Sequence, residues 1–88
     1  MYDFTTSLPA YLEALTNINE KQKKVLHAIH HLGVCNDHQI AEFLAWPINR
    51  VTPRRGELID VGLIETAFRG KDFETGRTVN FWKAIFLG

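Results

Sequence analysis

The spacing of apolar residues changes once along the chain, at Gly62, and that switch sets the fold class. Before it, apolar residues recur at helical spacing: Val25, Leu26, Ile29 and Leu32, then Ile40, Ala41, Phe43 and Leu44, then Val51, Leu58 and Val61. After it, residues 63–68 and 78–86 are rich in the β-branched and aromatic types that favour strands, and a polar, glycine-containing loop at 69–77 separates them. Helices first and a hairpin last predict an α+β chain. With 88 residues there is material for one small core and not for two domains with a cleft between them.

Capping signals set the helix boundaries. Asn19 followed by Gln22 is a capping-box pattern ahead of the first apolar series, which stops at Gly33. Asn36 and Gln39 repeat the pattern ahead of a second, shorter helix that ends at Ala45-Trp46-Pro47. A third helix is expected to start between Pro47 and Asn49, with Pro53 tolerated in its first turn, and to stop at Gly62. Ahead of these three, Tyr2, Phe4, Leu8, Tyr11, Leu12 and Leu15 make the N-terminus too apolar for a solvated tail. Ser7 is expected to cap a short additional helix with Pro9 in its first turn and Leu8, Tyr11, Leu12 and Leu15 on one face. That stripe either covers the core or meets a second copy in a homodimer. The chain thus divides into an N-terminal arm at 1–18, for packing or dimerisation, and a main domain at 19–88.

Composition narrows the function classes. Cys35 is the only cysteine, so an internal disulfide is excluded and a reducing, cytoplasmic setting is expected. No apolar run is long enough to span a membrane, and residues 1–4 lack the features of a signal peptide. The carboxylates are scattered, no glycine-rich phosphate loop occurs and no nucleophile has a recognisable base partner, so neither an enzyme nor a cofactor is expected. His27, His30, His31 and His38 with Cys35 do not offer the converging tetrahedral ligand set of a zinc site, and a structural or solvated role is the expectation. The net charge is zero, which argues against a simple polyanion binder; the one local excess is Arg50, Arg54 and Arg55 against Glu57 at 46–58, on the third core helix.

Two short helices joined by a tight turn, the second presenting arginines, with a hairpin following, resemble the winged helix-turn-helix superfamily. The residues that carry the resemblance run from Asp37 through Phe43, Trp46, Pro47 and Asn49 to Arg54, and the similarity extends over 19–86. Trp46-Pro-Ile-Asn-Arg-Val-Thr-Pro-Arg, Val61-Gly-Leu-Ile and Glu74-Thr-Gly-Arg-Thr-Val look like segments of small phage and prophage proteins of this type. The resemblance implies a three-helix core with a C-terminal wing that binds double-stranded DNA, as a transcriptional regulator or a replication or recombination accessory factor. Asn49, Arg50, Thr52, Arg54 and Arg55 would face the major groove, and Arg69, Lys71 and Arg77 would follow the backbone or the minor groove from the wing. Arg55 and Gly56 depart from the pattern, where an apolar residue and a good helix former are more usual; Arg55 is expected either to snorkel to a phosphate or to mark a loosely packed helix. Asp72 and Glu74 are expected to offset the wing cations, Trp46 and Trp82 to serve as core or hinge aromatics, and Phe73 to pack back on the sheet rather than insert in the minor groove. The competing reading is a winged helix used for protein–protein contact, as an adaptor or assembly subunit.

Overall fold

In the computed structural model, which describes residues 4–85, four helices precede one antiparallel hairpin: α1 Phe4–Asn17, α2 Glu20–Leu32, α3 Asp37–Leu44, α4 Ile48–Asp60, β1 Ile64–Lys71 and β2 Thr78–Ala84. Both Asn-x-x-Gln pairs form complete capping boxes, Asn19 with Gln22 and Asn36 with Gln39, each closed in both directions at 2.8–2.9 Å. Gly33, at φ 82°, ends α2 and returns its N–H to the Ile29 carbonyl. Between α3 and α4 the chain turns through Ala45 in the left-handed region, φ 57° and ψ 40°, a conformation that costs a non-glycine residue about 1 kcal/mol. Trp46 N–H donates to the Ala41 carbonyl across that turn and secures it.

Two boundaries differ from those the sequence suggests, the start of α1 and the end of β1, which runs on to Lys71 where the loop was expected from Arg69. The first helix already runs from Phe4, so Ser7 lies inside it rather than at its cap, and Pro9 sits in its second turn. The start of α4 at Ile48, with Pro47 as its N-cap, falls inside the expected window, but it puts Pro53 in the second turn rather than the first. Its missing N–H leaves the Asn49 carbonyl without the usual intrahelical donor. The side chain of Leu8, Tyr2 and the expected strand end at Phe86 lie outside the described residues.

One core joins these elements. Val25, Leu26, Ala28 and Ile29 of α2 meet Ile40 and Ala41 of α3 and Val51 and Leu58 of α4. Leu63, Ile64, Trp82 and Ala84 close it from the hairpin side. Each fully buried aliphatic of this set contributes roughly 1.5–3 kcal/mol. Tyr11, Ala14 and Leu15 of α1 pack against this cluster, whereas Leu12, expected on the same face, is 53% exposed. The hairpin is pinned to the helices by Cys35, whose N–H and C=O pair with Trp82 at 3.0 and 2.7 Å. Burial, with the Asp37 charge adding to it, pushes the Cys35 thiol up to about 12, so it stays protonated and inert at neutral pH.

Along the hairpin, Ile64 opposes Ala84 and Lys71 opposes Thr78, with one irregularity between Thr66 and Phe68. Past it, Phe68 and Phe81 stack at 4.7 Å between ring centroids on a face left largely exposed. Gly70 leaves room for this stack: a Cβ there would meet the Phe68 ring at 2.8 Å and push it aside. The loop is closed by Asp72 N–H donating to the Arg77 carbonyl at 2.8 Å, with Gly76 at φ 72° supplying the left-handed residue.

Candidate nucleic-acid interface

The residues expected at a DNA surface fall into three physical states. Asn49 and Arg50 are exposed in the first turn of α4. That helix start has no side-chain cap: Pro47 offers no acceptor, and Arg50 N–H reaches back to the Pro47 carbonyl at 3.0 Å. Two helices of this chain, α2 and α3, close their N-termini with side-chain caps and α4 does not, so no side chain of its cap residue offsets the partial positive charge of that helix start. The Arg50 guanidinium lies 6.0 Å from the centre of the Trp46 ring, a contact that steadies its direction without occupying its donors.

Thr52, Arg54 and Arg55, the next part of α4, are held by other protein groups. Asp37, the first residue of α3, accepts from both arms of Arg55 at 2.9 Å, from the Thr52 hydroxyl at 2.9 Å and from the Trp82 indole at 3.0 Å. The Arg55 guanidinium also lies over the Trp82 ring, 4.1 Å from its centre. Arg55 therefore neither snorkels to a phosphate nor marks a loose helix; it joins α4 to α3 and β2. Burial alone would raise the Asp37 carboxyl, but the hydrogen bonds and charge of Arg55, helped by Thr52 and Trp82, outweigh it and hold the group below its ordinary 3.8. Arg54 donates to Glu57 at 2.9 Å, and Gln22 donates to the same carboxylate at 2.8 Å. Gln22 thus both completes the cap of α2 and fastens α4 to it.

Arg69, Lys71 and Arg77 are exposed on the hairpin, Arg69 with one arm on the Asn80 side-chain carbonyl at 3.1 Å. Asp72, counted in the sequence as a surface charge offsetting them, is only 4% exposed. Its carboxylate accepts from Glu74 N–H and the Thr75 hydroxyl, and His38 Nε2 of α3 lies 3.8 Å away. The tip is therefore an organised turn. Phe73 stands on it 96% exposed, which overturns the expectation that it packs back on the sheet; the inward turn of Asp72 directs its neighbour outward.

Sequence reading missed a groove of about 560 Å³ between the first turns of α2 and α4. Lys21, Lys24, Trp46, Asn49, Arg50 and Arg54 line it together with Glu20 and Pro53. The signal was present in Lys21 and Lys24, one turn apart directly after the Asn19 cap, but the balanced charge of that segment hid it. His27 and His31 pack their rings near Phe43, at 6.4 and 4.8 Å between centroids. Among the described residues no three His, Cys, Asp or Glu side chains come together as a metal site, and no helix is long and apolar enough to cross a membrane. Compared with known proteins, the chain matches no family model, no curated protein and no solved structure.

Proposed function

We propose that the chain is a winged helix-turn-helix domain that binds double-stranded DNA, with α3 and α4 as the helix pair and the β1–β2 hairpin as the wing. The observation that carries this reading is the first turn of α4: Asn49 and Arg50 stand exposed on an uncapped helix start, which presents N–H donors, a partial positive charge and a guanidinium fork together. That combination suits a phosphate beside a guanine or adenine edge. Arg54 lines the adjoining groove from its pairing with Glu57, while Thr52 and Arg55 serve the fold. Arg69, Lys71 and Arg77 would follow the backbone from the wing. The domain acts in this reading as a regulator or a replication or recombination accessory factor of phage type, in the cytoplasm and without catalysis. A homodimer through α1, where Leu12 faces outward, would double the phosphate contacts of a protomer with zero net charge.

The test is a fluorescence-anisotropy titration of random-sequence duplex DNA at low and moderate salt, with an Asn49→Ala/Arg50→Ala variant alongside. Binding should fall steeply with salt and be lost or strongly weakened in the variant. No binding at low salt would sink the reading and favour the protein–protein alternative, which has its own support in the exposed Phe68 and Phe73 of the hairpin.

A further inference from the structure

We propose that the groove between the first turns of α2 and α4 is a nucleotide-binding site, its phosphate held by Lys21, Lys24 and Arg50 and its base laid against Trp46. Four cations and one carboxylate, Glu20, line this groove in a chain whose net charge is zero. Lys23 draws the Glu20 carboxylate toward itself at 3.5 Å and weakens its opposition to an anion. Lys21 and Lys24 make no ion pair with any described residue, so their ammonium groups are available to a ligand. Arg54, which also lines the groove, reaches Glu57 through one terminal nitrogen.

The chemistry of the lining selects among anions. A bare phosphate would use the cations and ignore Trp46, a half-buried indole at the groove wall. A flat heterocycle attached to the phosphate uses both, because a base stacked on an aromatic ring gains roughly 1–3 kcal/mol whatever its sequence identity. Asn49, on the same wall, carries a side-chain amide able to pair with a base edge. The volume of about 560 Å³ lies within the range of small-molecule sites and admits a mononucleotide. The shared chemistry is one phosphate and one base, supplied either by a free nucleotide or by an unpaired nucleotide of a strand. Because Asn49, Arg50 and Arg54 belong to both surfaces, a ligand seated here competes with duplex DNA if α4 reads it, yet the site does not depend on that reading.

The experiment titrates the full chain with a 5′-mononucleotide, with the matching nucleoside and with a short single-stranded oligonucleotide, following tryptophan fluorescence. Trp82 is buried and donates to Asp37, so the quenching reports Trp46. The mononucleotide or the strand should quench saturably, the nucleoside should bind at least about tenfold more weakly, and Lys21→Gln/Lys24→Gln should weaken binding about tenfold with an unchanged melting temperature. Trp46→Phe should remove the quenching. Equal dependence on the lysines in both arms assigns the site to a free nucleotide, and binding of the strand alone assigns it to an unpaired nucleotide in a chain. The proposal is overturned if neither ligand binds, if the nucleoside binds as well as the nucleotide, or if the lysine variant binds like wild type.

Discussion

The first turn of α4 and the turn that follows it carry the same kinds of side chain and use them in opposite ways. Asn49 and Arg50 face outward from a helix start left uncapped, while Thr52 and Arg55, a turn or so later, spend their donors on Asp37. The difference is one of position relative to α3. Asp37 opens α3 with its carboxylate at the helix N-terminus, where negative charge is favoured, and it faces the side of α4 that already buries Val51 and Leu58. An arginine near that side is captured because a carboxylate, an indole face and a hydroxyl converge there; one on the other side meets only Trp46 at 6.0 Å. Arginine count along a helix is therefore a poor measure of its capacity for an anion.

The sharpest way to break this comparison is to remove the capturing group. Asp37→Asn leaves the Arg55 charge half-enclosed beside Trp82 with its carboxylate gone, which is expected to cost about 3 kcal/mol and lower Tm by more than about 10 °C. The pH dependence has a fixed sign. Because the folded carboxyl sits below its ordinary 3.8, the Asp37 contribution is complete above that value and is lost as pH falls through the lower folded one. Thermal melts of wild type and Asp37→Asn should accordingly be furthest apart at neutral pH and converge in acid. A constant gap down to pH values well below 3.8 would show that shape rather than charge is what Asp37 supplies.

A smaller effect sharpens the role of Arg54, which stands between the two turns in behaviour. Glu57→Ala removes the acceptor for both Arg54 and Gln22, and since the pair is partly exposed the cost is expected to be only about 1 kcal/mol. The same change releases Arg54 into the groove wall and raises the local positive charge. Anisotropy titrations should then show tighter binding to duplex DNA with a steeper salt dependence than wild type. Unchanged affinity at the expected stability loss would class Arg54 with Arg55 as part of the scaffold.

The order of elements was legible because it rests on local signals: two Asn-x-x-Gln boxes, the glycine after α2 and the change of period at Gly62 all act within a few residues of themselves. The start of α1, which has no such signal, was misplaced, whereas α4 begins inside its expected window; prolines at 9 and 53 both fall in second turns and mark where an N–H is missing, not where a helix must begin. The candidate site was legible only in part. Asn49 and Arg50 follow from their place at a helix start, but the capture of Arg55 by Asp37 spans 18 positions and the indole contact with Asp37 spans 45. No spacing rule reaches across such separations. The groove escaped for the same reason, since Lys21 and Arg50 become neighbours only when Gln22 and Glu57 join α2 to α4. Phe73 is the converse case, where a general preference for burying aromatics lost to a turn that Asp72 organises locally.

Arg50→Ala is expected to have the least effect on the fold and is the most informative about the first turn. Its side chain is exposed and its one contact is the distant cation–π approach to Trp46, so stability should stay within about 0.5 kcal/mol of wild type. If the uncapped turn is the part of α4 that meets DNA, the logarithmic slope of affinity against salt should flatten by about 0.9, the share of one phosphate contact. Arg55→Ala should do the reverse, lowering Tm while the folded fraction keeps the wild-type slope. A slope that flattens in Arg55→Ala and not in Arg50→Ala would reverse the assignment of the two turns, because it would mean that DNA draws Arg55 away from Asp37 and that the network seen in the free chain is the resting state of a reader.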